Sequence, residues 1–207
     1  MNPYPVNLVV EGRRVLVVGG GKVAARKVAD LLLAGALVTV VAPEVDEGLA
    51  GLREVTIQRR PYQPGDLDRQ RLVVVAVDDP AVAEAVFADA EAAGIWINSA
   101  DDPARCSFTL PAKVRKGDVL VTVSTSGRSP AVSAWLRERL DEQLEPELAT
   151  LLDVVAEERA RLRADGVPTE GLNWREALRS GMLEKIREGD LAGARELLRT
   201  CLSSSSG

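Results

Sequence analysis

The run RVLVVGGGKVAARKVADLLLAGALVTVVAPE, residues 14–44, decides the fold. Arg14–Val18 is a short, continuously apolar stretch ended by three glycines, which predicts a strand buried on both faces. Lys22–Ala34 then carries Val23, Lys27-Val28, Leu31 and Leu32 at helical spacing until Gly35 stops it. Leu37–Ala42 is a second apolar strand, ended by Pro43. Strand, glycine turn, helix and strand in that order make a right-handed crossover unit and so a parallel sheet.

Working outward, Val55–Arg59, Leu72–Val77 and Ile95–Asn98 read as further strands, and Pro80–Ala93 as a helix closed by Gly94. Residues 1–112 are therefore expected to form an α/β domain, a Rossmann-like doubly wound parallel sheet covered on both faces. The pattern changes after Pro111. Ala112–Arg115 and Val119–Ser124 predict a hairpin turning at Lys116-Gly117-Asp118. Ser129-Pro130 then predicts a capped helix start. That small α+β segment, residues 113–146, is followed by a helical domain over 147–202, broken near Gly166–Gly171 and at Gly189. Residues 203–207 read as a flexible tail.

Composition narrows the chemistry. The 207 residues include no histidine, which removes the commonest metal ligand and the commonest general base. Two cysteines, Cys106 and Cys201, are too few for a thiolate zinc site and fit a reducing compartment, so no metal site is expected. A net charge of −5 argues against nucleic acid as partner. No basic segment followed by an apolar run opens the sequence, and no apolar run suits a membrane span, so a cytoplasmic protein is expected. Trp96, Trp135 and Trp174 are expected in the core or at an interface, and Cys106 as a small buried apolar group with no chemical role.

Three stretches can carry function. Gly19-Gly20-Gly21-Lys22-Val23-Ala24 fits G-x-G-x-x-A between a strand and a helix, the context of a dinucleotide site. Gly19 would make the tight turn and Gly21 would admit the pyrophosphate. Lys22 and Val23 would open the helix, and Ala24 would let it pack closely on the strand. At the end of the second strand Pro43-Glu44 offers one carboxylate to the adenosine ribose, with no arginine in that segment for a 2′-phosphate. Equally, Glu44 can be a solvated loop charge. The pattern favours NAD.

The second stretch, Asn98–Pro103, places Asp101 and Asp102 beyond a strand's carboxyl end, where open α/β sheets bind ligands. In a chain without histidine a carboxylate is a candidate base, but on spacing alone turn chemistry is the better reading. The third stretch is electrostatic. Between Ala104 and Leu140 seven basic residues, among them Arg105, Lys113 and Arg128, face only Asp118 and Glu138. Such a zone in an acidic chain suits a small polyanion, and solvated hairpin and helix faces would produce the same count. The loop Ser124-Thr125-Ser126-Gly127-Arg128 leads into a helix N-terminus, which can bind carboxylates.

The stretches GRRVLVVGGGKVAARKVADLLLAGALVTVVAPE (12–44), NSADDPARCSFTLPA (98–112) and VTVSTSGRSPAVSAWLRERL (121–140), in this order and spacing, resemble the precorrin-2 dehydrogenase/sirohydrochlorin ferrochelatase family, the N-terminal module of siroheme synthase. The resemblance covers residues 3–145. It implies NAD held around Gly19–Val23 and near Pro43-Glu44, and oxidation of the tetrapyrrole precorrin-2 to sirohydrochlorin. It also implies a homodimer in which Ser107–Leu144 is exchanged and completes each active site. It makes Asp101 the catalytic residue, reversing the preference from spacing alone, and sets the loop from Ser124 against the tetrapyrrole. Some members also insert iron, and a histidine carried by some of these has no counterpart here. The methyltransferase domain fused to some relatives is absent from these 207 residues, so the chain is not expected to make its own precorrin-2. A dinucleotide-sensing module without catalysis would explain Gly19–Ala24 but not the basic zone. A pure chelatase would want more metal ligands.

A hairpin and one capped helix cannot bury both of their faces alone. Light scattering at micromolar concentration should therefore give twice the 22.2 kDa chain mass. A monomer mass would contradict the expectation.

Overall fold

Residues that are apolar at every position can be satisfied only in the middle of a covered sheet, and the structure places them there. It is a computed structural model and describes residues 3–100 and 102–204. The chain divides into two compact units, Met1–Leu110 and Pro111–Gly207. The boundary falls two residues before the expected one, and the stretches read as separate hairpin and helical segments lie in a single unit.

In the first unit five parallel strands take the order β3-β2-β1-β4-β5. They are β1 (Arg14–Val18), β2 (Leu37–Val41), β3 (Val55–Gln58), β4 (Leu72–Val75) and β5 (Trp96–Ser99). β1 lies between β2 and β4, with Val17 opposite both Val40 and Val74. Alternate side chains feed two cores. Val15, Val17, Val38, Val40 and Val74 pack with Ala24 and Val28 of α1 (Lys22–Leu33) and Leu49 of α2 (Glu47–Ala50). Leu16, Val18, Val41, Val73, Val75 and Ile97 pack with Ala83, Val86 and Ala90 of α3 (Pro80–Ala93). Helices thus cover both faces, as the sequence predicts.

The helix ends follow local chemistry. Asp79 caps α3 by accepting the Ala81 N–H at 2.8 Å, Pro80 opens its first turn, and Gly94 closes it with φ +66°. Strand ends shift by one or two residues from the sequence reading. β5 begins at Trp96 and not at Ile95, and Ala76-Val77 leave the sheet after β4. The short helix α2 and two 3₁₀ turns, Pro64–Leu67 and Pro103–Arg105, carry no periodicity that would reveal them. Trp96 sits half exposed at the start of β5, outside the core of the first unit.

In the second unit β6 (Ala112–Lys116) and β7 (Val119–Val123) pair antiparallel around Gly117, whose φ is +57°. Val114 is the hairpin's buried residue, and α4 (Pro130–Gln143) buries none fully. Ser129 caps α4 through the Val132 N–H at 3.2 Å, as predicted. Trp135 is exposed, with the Arg139 guanidinium 5.0 Å over its ring. The helices α5 (Leu148–Ala164), α6 (Trp174–Arg179), α7 (Met182–Arg187) and α8 (Leu191–Ser203) share a core of Val154, Ala177, Met182, Leu198 and Leu202. Trp174 joins that core and donates its indole N–H to the Thr169 carbonyl at 2.9 Å. Ser203 belongs to α8, and the Ser204 N–H donates to the Thr200 carbonyl at 3.2 Å. The expected tail is thus corrected at these two residues, because buried Leu202 anchors the last turn. Residues 205–207 lie outside the described residues.

One ionic group is built into this core. The Glu158 carboxylate is buried and accepts from Arg161 at 2.6 Å and Arg199 at 3.1 Å, joining α5 to α8. The Arg161 hydrogen bond, with Arg199 behind it, holds that carboxyl below the ordinary glutamate value of 4.5 against the opposing effect of burial. A depressed folded-state value stabilises above 4.5, and the contribution disappears as pH falls from there through the lower folded value. Glu158→Gln should lower urea stability at pH 7 by about 1–3 kcal/mol, the cost of leaving charged partners unmet. Because the substitution removes the titrating group, the loss should shrink at pH 4 and below. An equal loss at both pH values would refute this account.

Candidate functional site

Parallel strands end together, and the order 3-2-1-4-5 reverses direction between β1 and β4. The crevice beyond that switch point is where such sheets bind ligands. The segments emerging there are Gly19–Gly21 after β1 and Ala76–Asp79 after β4.

The three glycines have three different reasons to be glycine. Gly19 has φ +118°, and a Cβ on it would stand 2.1 Å from the Ala76 carbonyl oxygen. Its N–H donates to the Val41 carbonyl at 3.0 Å, so β1 turns hard against β4 while tied to β2. A Cβ on Gly20 would stand 2.1 Å from the Glu44 carbonyl oxygen, and the Gly20 carbonyl accepts the Asp46 N–H at 2.8 Å. Gly21 differs from both. Its φ of −81° suits any residue, and a Cβ there would meet nothing within 4 Å. The fold does not require this glycine, and the space beside it is open.

Gly21 is also the N-cap of α1, and no side chain caps that helix or places a carboxylate in its first turn. α3, α4 and α8 each have a side-chain cap. The first N–H groups of α1 therefore face outward with the positive end of the helix dipole behind them. An anion fits there, and a dinucleotide pyrophosphate is the anion this turn suits. Lys22 is exposed at the mouth, Val23 half buried, and Ala24 fully buried against the sheet.

Pro43 and Glu44 follow β2, both exposed, and contact with Gly20 brings them beside the glycine turn. Gly19, Gly21, Lys22, Val23, Ala24, Pro43 and Glu44 thus assemble at one edge. The expectation of no cation at this end needs correcting. β3 pairs with β2, with Gln58 opposite Val41, so Arg59 and Arg60 emerge next to β2's end. Asp66 and Gln58 engage Arg60, while Arg59 is exposed. Register, which the sequence does not display, places them there.

At the end of β5, Asn98 and Ser99 are buried. Residues 106–108 run back along this strand and cover its edge. The Asn98 side-chain amide donates to the Phe108 carbonyl at 3.0 Å, and the Ile97 N–H donates to Ser107 Oγ at 2.8 Å. Cys106 Sγ accepts from the Ser99 N–H at 3.3 Å and reaches the Asp102 carbonyl at 3.2 Å. Burial pushes this thiol up, which keeps it protonated and unsuited to nucleophilic work. Asp102 accepts the Ala104 N–H at 3.1 Å and caps the 3₁₀ turn. Arg105 is bonded to Glu84 of α3 at 2.7 Å and to Asp102, so its charge is taken up in shaping this turn. The catalytic expectation at Asp101 lies outside the described residues.

In the second unit Lys113 is exposed on β6. Thr125 Oγ1 donates to the Ser129 carbonyl at 3.1 Å and lies 3.0 Å from Ser133 Oγ. Ser124 Oγ accepts the Ser126 N–H at 3.3 Å, with Ser126 at φ +53° and Arg128 exposed. The hydroxyls largely shape this loop, leaving Ser126, Gly127 and Arg128 outermost. Among the described residues no three His, Cys, Asp or Glu side chains converge on a point that could hold a metal ion. Among the described residues no helix is long and apolar enough to cross a membrane.

Residues 6–112 match a family model described as "Putative NAD(P)-binding". Among curated proteins, the siroheme synthase of Photorhabdus laumondii is 34% identical over 212 residues, covering 99% of this chain and 45% of that one. The siroheme synthase of Nitrosococcus oceani is 35% identical over 207 residues, covering 98% of this chain and 44% of its own. The chain thus spans less than half the length of these relatives. A solved structure of SirC, precorrin-2 dehydrogenase, superposes with a TM-score of 0.76 at 27% identity, covering 96% of this chain and 98% of that one.

The two outer glycines should fail differently when replaced. Gly21→Val should fold with a near-normal melting temperature and lose NAD binding by calorimetry, because its side chain enters open ligand space. Gly19→Ala should lower the melting temperature, since clash and left-handed strain together cost on the order of 1–3 kcal/mol or more. Normal NAD affinity in folded Gly21→Val would place the ligand elsewhere.

Proposed function

We propose, for a chain that belongs to the NAD(P)-binding family matched over residues 6–112, that it is a precorrin-2 dehydrogenase using NAD to oxidise precorrin-2 to sirohydrochlorin. The observation that carries the reading is the uncapped start of α1 with open space at Gly21, at the switch point of the sheet. Likeness to a precorrin-2 dehydrogenase over nearly the full length of both chains supports it. Iron insertion into the product is a separate activity that no described residue favours. The reading goes with a cytoplasmic protein and with a homodimer formed through the second unit.

NAD supplies the hydride acceptor when bound. The backbone N–H groups from Gly21 to Val23 hold its pyrophosphate, and Glu44 accepts a hydrogen bond from the adenosine ribose. Asp101 takes the proton that leaves the macrocycle as the hydride departs, a task that needs a carboxylate in a chain without histidine. Lys113 and Arg128, with the N–H groups and hydroxyls of Ser124–Ser126, orient the several carboxylates of the substrate. Asp102 and Arg105 hold the turn that follows Asp101.

Anaerobic incubation with NAD and precorrin-2, without metal, should yield NADH and sirohydrochlorin in equal amounts. Binding of NAD with no turnover would point to a sensor instead, and product only on iron addition to sirohydrochlorin would point to a chelatase. Asp101→Asn should slow dehydrogenation by on the order of 10²–10⁴-fold with NAD affinity retained. Asp102→Asn, which keeps the cap on Ala104, should cost far less. Near-normal NADH production by Asp101→Asn would refute the assignment of the base.

A further inference from the structure

The middle glycine of the turn faces the protein and not the crevice. A Cβ at position 20 would stand 2.1 Å from the Glu44 carbonyl oxygen and 3.0 Å from both the Ala42 Cβ and the Val45 Cα. Three of these contacts' owners, Ala42, Glu44 and Val45, belong to the segment leaving β2, and the Asp46 N–H donates to the Gly20 carbonyl at 2.8 Å. The segment continues into α2, whose start Asp46 caps by accepting the Gly48 N–H at 3.0 Å. Residues 43–46 therefore form a strap laid directly on the turn. Two of the three contacts are backbone and the third is the Ala42 Cβ, so no side chain can rotate out of the way.

We infer that Gly20 is a specificity-determining position: by letting the strap lie on the turn, it fixes Glu44 at the adenosine end of the cleft and so selects against a nucleotide with a 2′-phosphate. The inference rests on the dinucleotide site proposed above and adds which residue sets its selectivity. The strap places a carboxylate-bearing residue where the ribose hydroxyls lie, and a dianionic phosphate beside it is repelled. The cation that could offset this is in register close by. The Ala42 N–H donates to the Gln58 carbonyl at 3.2 Å, and Arg59 is the next residue after β3. Arg60 is committed to Asp66 and Gln58, whereas Arg59 is exposed. Displacing the strap removes Glu44 from the balance and leaves Arg59 to meet the phosphate.

The test uses the full chain and two measured affinities, for NAD and for NADP, by calorimetry without tetrapyrrole. Wild type should favour NAD. Gly20→Ala should weaken NAD at least tenfold and lower the NAD-to-NADP affinity ratio at least tenfold, because the strap must move. A role confined to stability would lower the melting temperature and leave the ratio alone. An unchanged ratio in folded Gly20→Ala protein overturns the inference. If Gly20→Ala does not fold, Asp46→Pro serves. Asp46 has φ −54°, which proline accepts, and the substitution deletes the N–H that ties the strap to Gly20. Asp46→Ala, which keeps that N–H and loses the α2 cap, is its control. The ratio should fall in Asp46→Pro and hold in Asp46→Ala, and equal ratios overturn the inference. Wild type that binds neither nucleotide overturns the dinucleotide reading itself and this inference with it.

Discussion

Everything in the first unit depends on β1 being hydrogen-bonded on both edges and buried on both faces. Val15, Leu16 and Val17 have no exposed surface, and their neighbours in β2 and β4 are nearly as dry. A strand so placed can leave the sheet only upward, between two strands already occupying the space on either side. Its exit is correspondingly tight: position 19 has no room on the β4 side, and position 20 has none on the β2 side. The glycine turn follows from this crowding before any ligand is considered. The third glycine is under no such crowding, and it stands at the start of a helix that no side chain caps.

Much of this was legible in the sequence, for physical reasons. Runs of Val and Leu bounded by Gly and Pro admit few readings, and the alternation of strand with helix leaves few topologies. Caps at Ser129 and Asp79 are local chemistry and sit where the residues say. What could not be read is non-local. Arg59 looked remote from Glu44 because the chain separates them, and strand register brings them together. Gly20 stands at an x position of the fingerprint, and its reason is a backbone more than twenty residues away. Arg105 looked like a free cation, but Glu84, far back on α3, claims it.

The second unit follows a different rule. Its helical core is small and includes an ionic staple, with Glu158 held by Arg161 and Arg199. Its hairpin and α4 leave Leu120, Val132 and Trp135 exposed.

The open start of α1 has a thermodynamic consequence. With glycine as its N-cap, α1 forgoes roughly a few tenths of a kcal/mol that a serine or aspartate at that position would have contributed. The empty protein is thus slightly less stable than a capped one would be, and at the start of α1 a bound anion can make the deficit good. Folding and cofactor binding are linked equilibria, so the nucleotide acts as a stabiliser of the native chain. At a concentration one hundred times its dissociation constant it raises the unfolding free energy by about 2.7 kcal/mol.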